Sequence, residues 1–369
     1  MSTEHGTPAR PTGPTTSSSR SALRLGYGTN GLTDLRLDDA LALLADLGYD
    51  GVGLTLDHMH LDPLAPDLAA RTGRVARRLD ELGLAVTVET GARYVLDPRR
   101  KHGPSLLDPD PDARAVRTRF LVRAVRIAAD LGAHAVHCFT GRHPDGPPPT
   151  VVRGTGTGPG TAGLIGTGTD PGAGPRSTGP IATTTGPGHG PGHGPGTGTG
   201  WQSQPDTDTA WKRLEASLTP VLEAAAAMGV PLAVEPEPGH LLATLDDFHH
   251  LRRLLGDPEP LGLTLDIGHC QCLEPAPPAD CVRDAAPWLR HVQIEDMRRG
   301  VHEHLPFGDG EVDFPPVLQA LAATGYQGLT VVELPRHSHA GPELARRSLD
   351  FLRTHLPAHR PATDGASAC

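Results

Sequence analysis

Short apolar runs alternate with longer stretches of helical periodicity through most of this chain. LRLGYG (23–28) precedes a predicted helix over 38–47, closed by Gly48, and GVGLTL (51–56) precedes one over roughly 64–82. LAVTVE (84–89) leads to a helix over 112–131, where Phe120, Leu121, Ala124, Val125, Ala128 and Leu131 keep to one face. HAVHCF (134–139) is followed, after a long interruption, by a helix over about 208–228. PLAVE (231–235) precedes a helix that Thr244 should cap, with Asp246 and Asp247 in its first turn. LGLTLD (261–266), HVQIE (291–295) and LTVVE (329–333) complete the strands, with helices near 279–286, 315–324 and 341–355. Alternation of this kind predicts a parallel sheet. Eight strand–helix units favour a closed α/β barrel, (β/α)8, over an open sheet, and no GxGxxG follows the first strand as a dinucleotide fold would require.

Composition sets the limits of that barrel. The chain holds 45 Gly and 38 Pro in 369 residues, concentrated where the rhythm stops. Residues 1–21 are rich in Ser, Thr, Pro and Gly, and 141–208 contains GTGTGPGTAG and GPGHGPGHGPGTGTG, so neither can build a core. The expected organisation is a disordered tail over 1–21, a barrel over 22–357 interrupted by a flexible insertion over 141–208, and a second tail over 358–369. His189 and His193 within the insertion read as parts of a low-complexity spacer. Without the insertion the core is 268 residues, close to the ~250 typical of this barrel.

Charge and cysteine usage narrow the partners. A net charge of −10 and a pI near 6.0 give no pull toward nucleic acid or anionic membranes. Lys101 and Lys212 are the only lysines. No apolar stretch reaches the ~18–20 residues of a membrane span, and the N-terminus lacks the apolar centre of a secretory signal. Five cysteines are odd in number and too sparse for a disulfide framework. A cytoplasmic protein is expected, with a small-molecule partner; a homo-oligomer is compatible with the sequence.

The candidate chemistry lies at the strand ends. Four runs in the C-terminal half finish on acids: Glu235, Asp266, the pair Glu295 and Asp296, and Glu333. Acids at the ends of successive parallel strands collect on one face, where a barrel carries its active site. Crowded carboxylates repel unless a cation or a shared proton joins them, and a divalent metal is the simplest partner. Between the third and fourth runs lies VHEHLPFGDG (301–310), read as a polar loop.

The segments VEPEPG, LTLDIGHC, HVQIEDM, HEHLPFGDGEVDF and GYQGLTVVEL, in that order, resemble the xylose isomerase-like TIM barrels. That superfamily includes sugar isomerases, ketose 3-epimerases, inosose dehydratases and AP-endonucleases. The resemblance covers the core and is strongest from 231 to 334. It implies a metal held at the ends of strands five to eight by Glu235, Asp266, the residue at 293 and Glu333, with Glu235 and Glu333 also exchanging the proton. His269 matches a substrate-contacting or second-metal histidine, and Asp296 matches a family acid near substrate. Where the family has His, this chain has Gln293, whose carbonyl is a weaker ligand for transition metals and shifts preference from Zn²⁺ toward Mg²⁺ or Mn²⁺. His302 and His304, just before Gly308-Asp309-Gly310, are replacement ligands by resemblance to the endonuclease branch. His137 and Glu89 sit where that branch draws further site residues.

Plainer readings accompany these. Asp266 could cap the following helix through the amides of Gly268 and His269. His134 and His291 open strands at the opposite rim and should face solvent, and His249 and His250 belong on a helix surface. Cys270 and Cys272 read as reduced thiols. Glu295 and Asp296 could be a surface pair for Arg298 and Arg299. Aromatic residues form only 4% of the chain, leaving Tyr27, Tyr94, Phe139 and Phe307 as candidates to stack on a sugar. Three functions follow: a metal-dependent isomerase or epimerase of a sugar, cyclitol or polyol; a metal-dependent phosphoesterase; and a barrel without catalysis in a metabolite pathway.

Overall fold

The computed structural model describes residues 23–142 and 205–357. Both tails, most of the predicted insertion, and His189 and His193 lie outside the described residues. The barrel strands are β1 (Arg24–Gly28), β2 (Gly51–Thr55), β3 (Ala85–Glu89), β4 (Val136–Phe139), β5 (Leu232–Glu235), β6 (Leu261–Asp266), β7 (Leu289–Ile294) and, after a hairpin, β10 (Leu329–Val332). All pair in parallel and close in the order β1-β10-β7-β6-β5-β4-β3-β2. The predicted eight-stranded barrel is therefore present.

Helices α1 (Leu37–Leu47), α2 (Leu68–Leu82), α3 (Pro111–Leu131), α4 (Pro205–Met228) and α5 (Leu245–Leu255) follow the first five strands. Their ends obey local chemistry. Gly48 adopts the left-handed φ of 92° that closes α1, and Thr244 and Asp247 form a reciprocal capping box on α5. No helix among the described residues is long and apolar enough to cross a membrane.

Two elements depart from expectation. Directly after Asp266 comes α6 (Ile267–Leu273), with Asp266 Oδ1 accepting the amide N–H of His269 at 2.9 Å. The stretch read as a polar loop is a hairpin, β8 (Asp296–Arg298) with β9 (Val301–Leu305), turned at Gly300. VHEHL lacks the apolar alternation that announces a strand, because its inward positions are histidines. The remaining helices are α7 (Pro278–Ala285), α8 (Phe314–Ala323) and α9 (Gly341–His355).

Register fixes what reaches the interior. Thr55 lies opposite Glu89 and Glu89 opposite His137. Asp266 lies opposite Gln293, and Gln293 opposite Val331. Gly53 leaves space for the inward acid, since a Cβ there would collide with the Glu89 carboxylate. A register shift at Leu263/Thr264 sets Thr264 against His291. His291 is fully buried rather than solvent-facing as predicted, because the alternation that turns Val292 and Ile294 outward sends it into the barrel. His134 is exposed, as expected.

Candidate active site and metal centre

A buried polar chain runs across the barrel under its carboxylate end. His137 Nε2 lies 2.6 Å from Glu235 Oε2, both side chains almost wholly buried. Burial alone would lower the pKa of His137, but Glu235 outweighs it and the imidazole is raised above its ordinary value. Glu235 shows the reciprocal effect: burial opposes ionisation, yet His137 and His269 hold its carboxyl well below the usual range. Next round the ring, His291 Nε2 is 3.4 Å from Glu89 Oε1, and Thr55 donates its hydroxyl to Glu89 Oε2 at 3.1 Å. Burial lowers the pKa of His291, against the pull of Glu89.

Above this layer β6, α6, β7, β9 and the end of β10 bring further ligand types together. His269 Nδ1 donates to the carbonyl of Pro236 at 3.1 Å, which turns Nε2 toward the site, 3.6 Å from Asp266 Oδ2. His302 and His304 alternate with Glu303 on β9 and face the same way. His302 Nε2 is 3.1 Å from His269 Nε2, and His304 Nδ1 is 3.3 Å from Glu295 Oε1 and 3.9 Å from Glu333 Oε2. Asn30 holds the other oxygen of Glu333, donating to Oε1 at 2.9 Å.

These groups offer three overlapping metal-ligand sets whose donor atoms lie within 4.8 Å of one another: Asp266, Glu295, His304 and Glu333; Glu235, Asp266 and His269; and His269, His302 and His304. The atoms that face inward are unsatisfied. Glu235 Oε1, Asp266 Oδ2, both oxygens of Glu295, and His304 Nδ1 are buried without a hydrogen-bond partner. Orphaned buried acceptors are costly. Donor separations of 3.1–3.6 Å match the edges of a polyhedron whose metal–ligand bonds are about 2.0–2.2 Å. The residues fit a divalent cation.

Without a cation, protons must relieve the crowding. Burial, reinforced by Asp266 and Glu333, pushes Glu295 well above the carboxylate range. Burial, with Glu89, Glu235 and Asp266, does the same to Glu333. Glu237 is raised to about 7, chiefly by burial. His304 and His302 are lowered to about 4 and about 2, burial being the largest cause in each. His269 is raised well above its usual value, since Asp266, Glu237 and Glu235 override its burial.

A cavity of about 140 Å³ opens onto the group. Among predicted site residues, Glu235, Glu333, Glu89, His137, His302 and His304 line it, while Asp266 and His269 stand in the wall behind. Gln293 is inside the barrel, as alternation predicts, with its Oε1 buried and unpartnered. Asp296 does not reach the cavity. Its carboxylate accepts the amides of Met297, Gly308 and Val312 at 2.9–3.0 Å and ties the hairpin to the segment behind it. Glu295 and Asp296 are both buried and neither pairs with Arg298 or Arg299. Of the candidate stacking aromatics, only Phe139 lines the cavity. Tyr27 is packed in the core, Tyr94 is half exposed, and Phe307 packs on Phe314 and Phe351. His249 and His250 rest on Trp288 and Trp211 at the helix surface. Cys270 and Cys272 are buried free thiols.

Glu237 and His291 were missed as members of the site, and Glu295, named among the strand-end acids, was given no role in it. Glu237 lies 3.7 Å from His302 and 3.9 Å from His269, and its only signal was the second acid of Glu-Pro-Glu. Glu295 and His291 share the inward parity of Gln293, a signal the strand itself carries.

Residues 41–155 and 187–355 match the model of the family described as xylose isomerase-like TIM barrel. The rhizopine catabolism protein MocC of Rhizobium meliloti is 35% identical over 149 residues, 35% of this chain and 45% of that protein. An inosose dehydratase of Lacticaseibacillus casei is 26% identical over 144 residues, 34% of this chain and 48% of that one. The chain thus spans about half the length of the curated relatives it matches. In fold it is similar to the 3-keto-D-glucoside 4-epimerase of E. coli, with a TM-score of 0.60 at 19% identity, covering 90% of this chain and 99% of that chain.

Proposed function

The chain belongs to the xylose isomerase-like TIM barrel family, and from that premise we propose that it is an isomerase or epimerase of a sugar, cyclitol or related polyol, working by proton transfer next to a carbonyl carbon. The observation that carries this reading is the pair Glu235 and Glu333. They line one cavity from the ends of strands three places apart in the ring, so they approach a bound substrate from different walls. Glu235 is ionised, with Oε2 held by His137 and Oε1, 3.3 Å from His269 Nδ1, without a hydrogen-bond partner and placed to accept a proton. Glu333 is anchored through Oε1 by Asn30, which leaves Oε2 turned into the cavity from the other wall. A base and an acid on different walls suit removal of a proton from one face and its return to another. The names of the relatives, an inosose dehydratase and a rhizopine catabolism protein, support a polyol substrate.

Asp266, Glu295, His304 and Glu333 would hold a divalent metal, Mg²⁺, Mn²⁺ or Zn²⁺, with Glu235, His269 and His302 beside it and Gln293 within the same layer. Such an ion supplies Lewis acidity to a carbonyl oxygen, making the adjacent C–H more acidic. The protein's own part is to keep Glu235 ionised beside His137, hold Glu333 in place on the opposite wall through Asn30, and exclude water from the buried layer. The test is incubation of the Mn²⁺-supplemented chain with ketoses and inososes in D₂O, followed by proton NMR. Exchange beside the carbonyl is expected; a metal-bound protein that exchanges none of them refutes the reading. The cluster of His269, His302 and His304 favours a second reading, a metal-dependent phosphoesterase, which release of phosphate from sugar phosphates would detect.

A further inference from the structure

The mouth of the cavity differs in charge from its floor. Arg93, Lys101 and Arg336 line the rim, although the chain has only two lysines and the floor is made of acids. Two of the three cations are uncommitted: among the described residues, no carboxylate lies within 4.0 Å of the Lys101 ammonium or the Arg336 guanidinium. Arg93 is only loosely engaged, 3.6 Å from Asp57 Oδ2 and donating to the Pro335 carbonyl at 3.4 Å. Burial lowers the pKa of Lys101, and the nearby Arg336 and Arg93 lower it further, against the weaker pull of Glu237. Like charges brought together at the rim of a pocket are unfavourable unless an anion joins them.

The segment that presents two of them is built rather than loose. The buried Arg117 of α3 donates to the carbonyls of Pro104, Thr90 and His102 at 2.8, 3.4 and 2.6 Å. The Tyr94 amide donates to the Lys101 carbonyl at 2.8 Å, fastening Arg93 and Lys101 to one another across the loop. Ala92 and Tyr94, on either side of Arg93, take positive φ values of 49° and 57°, a conformation that side chains other than Gly rarely adopt. Strain of this kind persists where surrounding structure enforces it, commonly at ligand clamps. Recognition by stacking is poorly provided for, with Phe139 the one aromatic carbocycle on the cavity wall.

We propose that the substrate carries an anionic substituent, a phosphate or a carboxylate, remote from the reacting carbon, and that Arg93, Lys101 and Arg336 bind it at the rim while the sugar carbonyl lies over the acidic floor. This rests on the isomerase reading and names its substrate class. Arginine and lysine together suit either anion, by fork and by point charge. Each cation contributes about tenfold in affinity, the effect of a hydrogen bond to a charged group.

The test is calorimetric titration of the full chain, with Mn²⁺ present and at low salt, by D-fructose, D-fructuronate and D-fructose 6-phosphate. The same titrations are run on the double variant Lys101→Gln/Arg336→Gln. At least one anion should bind about a thousandfold more tightly than D-fructose, and the double variant should lose about a hundredfold of that preference, Arg93 keeping the remainder; which anion is preferred separates carboxylate from phosphate. Equal binding of all three, no binding by any, or a preference undiminished in the double variant would overturn the proposal, the last by pointing to contact with the metal. No turnover is needed. Anion binding without C–H exchange would therefore sink the isomerase reading alone, and exchange without anion preference would sink this one alone.

Discussion

Asp266 divides its carboxylate in its dealings with His269: Oδ1 accepts the His269 amide N–H at 2.9 Å, while Oδ2 has no hydrogen-bond partner and lies 3.6 Å from His269 Nε2. The capping and ligand readings of this residue are therefore compatible, each with its own oxygen.

Asp266→Asn separates them. An amide oxygen still caps α6, so the loss of stability should stay below about 1 kcal/mol, whereas alanine should cost about 1 kcal/mol or more through the lost cap. Both variants should lose bound metal, because the inward anionic oxygen is gone. Thermal melts and metal analysis of the two proteins read the division directly; a full metal complement in both would remove Asp266 from the ligand set.

Gln293→His should tighten Zn²⁺ or Mn²⁺ binding. Residue 293 is inward, level with Asp266, and its carbonyl oxygen is unpartnered. An imidazole there adds a stronger ligand for transition metals than the amide it replaces. Competition titration against a chelating dye measures the change. Unchanged affinity in a folded variant would show that the ion is centred higher, among Glu295, His304 and Glu333.

Arg117→Met should destabilise the fold by about 2–4 kcal/mol, since three carbonyls lose a charged donor in a buried setting. The midpoint should fall by about 5–10 °C, with the loop of Arg93 and Lys101 becoming susceptible to proteolysis first. An unchanged melt would mean that water replaces the guanidinium without cost.

The pH dependence has two signs. Burial lowers His102 to about 4 and His240 to about 3, so the unfolded chain binds their protons more tightly and the folded state loses stability on acidification. Their contribution is complete above the unfolded value of about 6.5. It declines as pH falls toward 4 for His102 and toward 3 for His240. Glu237, raised to about 7 by burial, acts oppositely: its contribution is present at low pH and is lost as pH rises through 7. The difference in unfolding free energy between the parent and His102→Gln isolates one member. It should be flat above about pH 6.5 and shrink from there to pH 4; a flat difference throughout would contradict the buried neutral imidazole.

Much of the molecule was legible because periodicity and strand-end chemistry are local. Eight runs gave eight barrel strands, and Glu235, Asp266 and Glu333 came to one end as parallel strands require. What was not legible depends on partners distant in sequence. VHEHL reads as a loop until the site on its inner face is known to be polar. Asp296 looks like its neighbour Glu295, yet only the fold reveals that backbone amides of Gly308 and Val312 occupy one while nothing satisfies the other. His291 was assigned to solvent because it opens its strand, although the alternation that turned Gln293 inward applied to it equally.

The measurement that bears most directly on the account is solvent-deuterium incorporation by the metal-supplemented chain, compared among the parent, Glu235→Gln and Glu333→Gln on a ketose or inosose that the parent exchanges. Loss of a positioned base or acid should reduce the rate by about 10²–10⁴-fold, with the fold intact in each variant. Exchange that continues at the parental rate in both variants would contradict the assignment of Glu235 and Glu333 as the proton-transferring pair.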